Sequence, residues 1–324
     1  MIQFDGNDDI GRGNGRSPIF NLFTIYACSP VRTTAAAKGD EAVQVELEKP
    51  QTLNGIRGAV IFYLLAYLLS WSIWGTFIFI PQIVDFAPLL IMIGAYGPFM
   101  AALILTRAAG GKGAARQWFR AVFRWRPVWR WILLGGLLLP LLIALVHLVL
   151  YRVFVGTFTL STDPPWYWAV SVVPINILVL AWFGSAVEEF GWQGFALPRL
   201  TAQMHPLLAN LLHGVLWGTW HLPLYLSEDW SGNHQAIWLL YGITLSLAPL
   251  MYWLTRRANG SVVPAILLHA ATNLYTDMYE GEEVFAGSLA DNFVAIKTGI
   301  YVVIALVLIV ATRGWLGYKG ADRQ

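Results

Sequence analysis

Long runs of apolar residues, broken by short polar loops, are the dominant pattern of this chain. On the rule of about 20 apolar residues per bilayer-crossing helix, they predict eight spans. The first four are Ala59–Ile80, Pro88–Leu105, Trp131–Tyr151 and Trp168–Phe195, and the second four are Leu207–Leu226, Ala236–Leu254, Val262–Met278 and Phe293–Ala311. The expected fold is an all-α polytopic membrane bundle over residues 58–312. A polar segment, 1–57, precedes it, and a short cytoplasmic tail, 313–324, follows. The lead-in is Gly- and Asp-rich and reads as disordered. A signal peptide ending at Cys28 is disfavoured by Asn21 inside its short apolar part and by bulky Tyr26 near the cleavage point.

Composition agrees: 57% of the 324 residues are hydrophobic and 12% charged, against about 25% charged in soluble domains. The net charge of +2 says little, but its distribution orients the chain. Arg107, Lys112, Arg116, Arg120, Arg124, Arg126 and Arg130 fill one loop. Arg256-Arg257 follow the sixth span, and Arg313, Lys319 and Arg323 follow the eighth. The alternate loops carry Asp163, Glu228-Asp229, and Glu280, Glu282, Glu283 and Asp291. Basic inside and acidic outside puts both termini in the cytoplasm, as expected for a multi-pass protein of a bacterial inner membrane. Lys112, Arg116, Arg120 and Arg124 recur every four residues, with Trp118, Val122 and Trp125 on another face. That pattern predicts an interfacial helix lying on lipid headgroups, not a nucleic-acid site. Trp129, Trp131, Trp166 and Trp168 suit the aromatic belts. A single cysteine excludes an intrachain disulfide and a cysteine zinc knuckle, and there is no internal repeat.

Against this apolar background a few polar residues stand out. Glu188 and Glu189 sit in Val187-Glu188-Glu189-Phe190-Gly191-Trp192-Gln193-Gly194, where a carboxylate at membrane depth costs about 2.5–3.5 kcal/mol on insertion scales. As helix neighbours they point about 100° apart, so one faces a given point and the other flanks it. A helix stopping before Pro198 would leave Glu188 roughly 13 Å from its cytoplasmic end. The ordinary alternative is a glutamate pair at a helix end, exposed or salt-bridged. His221 lies in the fifth span. His269 and Asn273 lie i, i+4 on one face of the seventh, able to hold a metal ion, to donate to an oxyanion or simply to clamp two helices. His147 and His213 read as structural, and His205 and His234 as loop residues. Gly191 and Gly194 suit close helix packing. The expectation is one buried polar site among spans 4, 5 and 7, opening to the cytosol and suited to acid/base or metal chemistry.

Three motifs then resemble the CPBP family of intramembrane proteases, which includes type II CAAX prenyl endopeptidases and bacteriocin-processing or self-immunity (Abi-like) proteins. They are Glu188-Glu189-Phe190-Gly191-Trp192-Gln193, Trp217-Gly218-Thr219-Trp220-His221 and His269-Ala270-Ala271-Thr272-Asn273, within roughly residues 165–278. Gln193 stands where that family usually has arginine, and Trp217 where it often has phenylalanine. The resemblance implies that Glu188 and His221 activate water, that His269 and Asn273 hold the oxyanion, and that Glu189 supports the pair. It implies either zinc on Glu188, His221 and His269 or no metal at all, with a peptide or protein substrate and membrane lipids as partners. A catalytically silent relative acting as scaffold or immunity factor is the first alternative, and a proton-coupled transporter the second.

Overall fold

The computed structural model describes residues 55–80, 86–125, 128–154, 181–225, 237–280 and 289–318, all within the unit Leu47–Gln324. The lead-in with Cys28, the first half of the fourth span, His234 and most of the acidic loop residues lie outside them. Among the described residues the fold is all-helical, with no strand.

Eleven helical elements follow in order: α1 Gly55–Trp74, α2 Thr76–Phe79, α3 Ala87–Ala95, α4 Gly97–Val122, α5 Trp129–Phe154, α6 over 181–201, α7 Pro206–Trp220, α8 Leu222–Tyr225, α9 Ile237–Arg257, α10 Val263–Glu280 and α11 Leu289–Ala311. Five stretches are long and apolar enough to cross a membrane: Gly55–Trp74, Ala87–Val122, Trp129–Phe154, Ile237–Arg257 and Val294–Ala311. They correspond to the expected spans 1, 2, 3, 6 and 8. The helices of spans 4, 5 and 7, which carry the polar residues, are the ones that do not qualify among the described residues. α7 has 15 residues, about 22 Å at 1.5 Å each, short of a core about 30 Å thick. α10 has 18, but its later turns hold Thr272, Asn273, Thr276, Asp277 and Glu280.

α6 is the centre of the molecule. Every residue from Ser185 to Leu197 is buried, with α4 and α1 packed on it and α10 also against it. Gly191 permits that approach, because a Cβ there would lie 2.6 Å from the Pro98 carbonyl oxygen. At Gly194 a Cβ would lie 3.2 Å from Val122 Cγ1, so both glycines serve the close packing expected of them.

The helix does not stop before Pro198. A π-helical turn, Trp192–Ala196, leads into a further turn, Leu197–Thr201. Proline has no N–H for the carbonyl four residues back, which here is Gly194. Trp118 Nε1 donates to that oxygen at 3.0 Å instead, so an indole from α4 replaces the missing backbone donor. The apolar face of the basic segment is therefore not spread on headgroups. Trp118 and Val122 are buried against α6, while Lys112, Arg116, Arg120 and Trp125 remain exposed. A left-handed Gly111 (φ 74°) bends α4 where this basic stretch begins, a conformation open to glycine without strain.

Candidate active site

Glu188 and Glu189 lie in the α-helical turn Ala186–Gly191 between two π-helical turns. Both are buried, at 6% and 0% exposure, so they are not a solvent-exposed helix-end pair. The 100° offset sends them to different partners. Glu189 Oε1 meets His269 Nδ1 at 2.9 Å, across from α10. Glu188 Oε2 accepts from Trp217 Nε1 at 3.0 Å, across from α7.

His221 terminates α7, and the short α8 begins at the next residue. Pro223 cannot donate to the Thr219 carbonyl, so the ladder ends and His221 becomes the C-cap, its N–H on the Gly218 oxygen at 3.1 Å. Its ring turns back, and Nδ1 meets the Trp217 carbonyl oxygen at 2.9 Å. A carbonyl only accepts, so Nδ1 carries the proton and Nε2 keeps its lone pair in the neutral ring. Trp71 Nε1 fixes the end of the helix from α1, donating to the Trp220 oxygen at 2.9 Å. Asn273, half-buried, follows His269 by one turn of α10.

One indole gathers these groups. Trp217 holds Glu188 through its N–H and His221 through its carbonyl, and its ring meets His269 edge-on at 5.1 Å and 78°. Sequence reading treated Trp217 as an aromatic exchange for phenylalanine and missed this junction. Its signal is the one atom by which tryptophan differs usefully from phenylalanine, a donor that seeks a partner when buried. Behind Trp217, His213 stacks parallel at 6.1 Å and 2°, and its Nδ1 pairs with the Tyr63 hydroxyl at 2.9 Å. His213 is thus a brace, in keeping with a structural role. Trp192 and Trp220 close the wall, edge to face at 5.5 Å.

The remaining histidines stand apart. His205 caps the start of α7, accepting from Leu207 N at 3.3 Å. His147, read from sequence as structural, is buried on α5 within electrostatic reach of buried Lys297 on α11. That neighbour comes from a helix 150 residues later in the chain, so local sequence could not reveal it.

Gln193, which departs from the arginine usual in the resembled family, lies one turn beyond Glu189. It is 2% exposed, yet neither amide atom has a hydrogen-bond partner, and Glu189 Oε2 and Ser185 Oγ, on the preceding turns, are also unpartnered. Buried polar atoms left this way are the usual positions of internal water.

The metal set implied by resemblance has part of what a metal site needs: both histidines have Nδ1 held by an oxygen, as outer-shell partners hold metal-ligating imidazoles. Among the described residues, however, no three His, Cys, Asp or Glu side chains come together closely enough to hold an ion. Glu188, His221 and His269 each contact Trp217.

Known proteins supply the remaining context. Residues 168–275 match the family model of the type II CAAX prenyl endopeptidase Rce1-like proteins. The chain is 24% identical over 267 residues to CAAX prenyl protease 2 of Methanococcus maripaludis, an alignment covering 77% of this chain and 92% of the relative. The match spans all three motifs, and with the five apolar helices it makes this a multi-pass membrane protein. Over its motif-bearing part, residues 168–275, the chain is therefore similar to the Rce1-like type II CAAX prenyl endopeptidases.

Proposed function

We propose that this protein is an intramembrane endopeptidase that hydrolyses a peptide bond of a membrane-associated or C-terminal peptide substrate. It is read as an eight-span bundle with both termini cytoplasmic and its site open to the cytosol. The observation that carries the reading is the gathering of Glu188, His221 and His269 around Trp217, with Glu189 joined to His269. A proton relay would instead string such groups along the membrane normal.

In this mechanism Glu188 takes one proton of the attacking water while the free Nε2 of His221 accepts a hydrogen bond from its other O–H, and Glu188 then returns the proton to the leaving amine as the C–N bond breaks. The tetrahedral oxyanion forms beside His269 and Asn273. For His269 to donate from Nε2 while Nδ1 donates to Glu189, its ring must be an imidazolium. The adjacent Glu189 carboxylate balances that charge. No step passes through a metal.

The test is cleavage of a quenched fluorescent peptide library by detergent-purified protein, beside Glu188→Ala and His269→Ala, with and without a strong chelator. Loss of cleavage in both variants supports the reading, and chelator sensitivity of the wild type would overturn its metal-free form. A second reading, a silent relative that binds a peptide or partner, is favoured by the unpartnered Gln193. It moves ahead if neither the folded wild type nor Gln193→Arg cleaves any peptide.

A further inference from the structure

The geometry points to Trp217 as a positioning residue of the reaction: its indole N–H fixes the Glu188 carboxylate in the orientation from which the other oxygen meets the attacking water. The inference rests on the protease reading.

Glu188 has two oxygens, and the Trp217 bond commits Oε2 at 3.0 Å. A carboxylate held through one oxygen has its plane fixed, and Oε1 is then directed instead of free to rotate. The indole is itself immobile. Trp217 is 2% exposed, stacked on His213 and set edge-on to His269. Its backbone carbonyl orients His221 at the same time, so one residue sets both groups proposed to act on the water. That placement follows from helix geometry: Trp217 and His221 are one turn apart on the same face, while Glu188 reaches across from α6. Phenylalanine at 217 could fill the space and leave the carbonyl in place, but it would release the carboxylate.

The experiment separates the hydrogen bond from its catalytic use. In protein labelled with ¹⁵N-indole, the Trp217 peak among the 16 tryptophans is identified by its absence in Trp217→Phe, or in Trp217→Tyr should the first variant not fold. The expected result is that this peak moves upfield in Glu188→Ala by more than any other indole peak. In peptide cleavage, Trp217→Phe is expected to lower kcat about 10- to 100-fold, the worth of a hydrogen bond to a charged group, while KM stays within about twofold, as for an interaction used in the transition state. An unmoved peak overturns the proposal, as does an unchanged kcat or a loss expressed only in KM. A folded wild type and Gln193→Arg that both cleave nothing sink the protease reading itself, a result distinct from an unmoved indole peak.

Discussion

α5 and α6 are both helical and both largely apolar, yet they meet opposite surroundings. α5 leaves Leu141, Leu145, Val149 and Val153 exposed, between 54% and 69%, as befits a surface whose solvent is lipid. α6 buries everything from Ser185 to Leu197, including two glutamates and a glutamine. The outer helix has a single π-helical turn, Leu134–Leu138, where α10 packs against it, followed by Pro140. The inner one carries two π-helical turns and a proline, irregularities tolerated at membrane depth only where protein surrounds the freed backbone groups. Trp118 on the Gly194 oxygen is one such compensation. Apolarity measures contact with lipid: α10, whose later turns are too polar to qualify as a span, is buried at every position but Leu267 from Pro264 to Thr272.

The sharpest way to break this contrast is to remove the charge the inner helix shelters. Glu188→Ala should lower kcat/KM about 10²- to 10⁴-fold, the range of a general base, with little loss of detergent-solubilised fold by circular dichroism. Retained activity would remove Glu188 from the mechanism. Glu189→Ala is expected to act on stability as well, since it strips His269 of its partner in a buried pair. Such losses cost about 3–5 kcal/mol, and thermal unfolding in detergent should show it as a clearly lowered Tm.

Packing gives a smaller, matched pair of effects along the same inner helix. Gly191→Ala places a methyl 2.6 Å from the backbone of Pro98, whereas Gly184→Ala meets nothing within 4 Å. The first should destabilise by about 1–3 kcal/mol, the usual cost of overpacking. The second should leave Tm unchanged or raise it slightly, because alanine is the better helix former. Equal effects at the two positions would contradict the tight α4–α6 contact. Smallest of all, Leu145→Ala on the lipid-facing side of α5 should stay within about 0.5 kcal/mol, and a larger loss would mean that this side is covered by protein.

Much of this was legible in the chain. Apolar runs located the helices, and the five long spans follow from hydropathy alone because lipid contact depends only on side chains along one helix. The three motifs marked Glu188, Glu189, His221, His269 and Asn273 because ionisable and amide groups are costly in such surroundings. The i, i+4 spacing placed His269 and Asn273 on one face without any knowledge of what faced them.

What the chain could not disclose depends on groups far apart in sequence. The Glu189–His269 contact joins residues 80 apart, and the continuation of α6 past Pro198 depends on an indole 76 residues earlier. Whether a buried carboxylate bonds to its neighbour, to an amide one turn on, or across to another helix is decided by which donor the packed helices bring within about 3 Å. Sequence thus determined that this protein lies in a membrane and which few residues are too polar for it. Tertiary structure alone assigned each of those residues its partner, because hydrogen bonds are short and directional while hydrophobicity is neither.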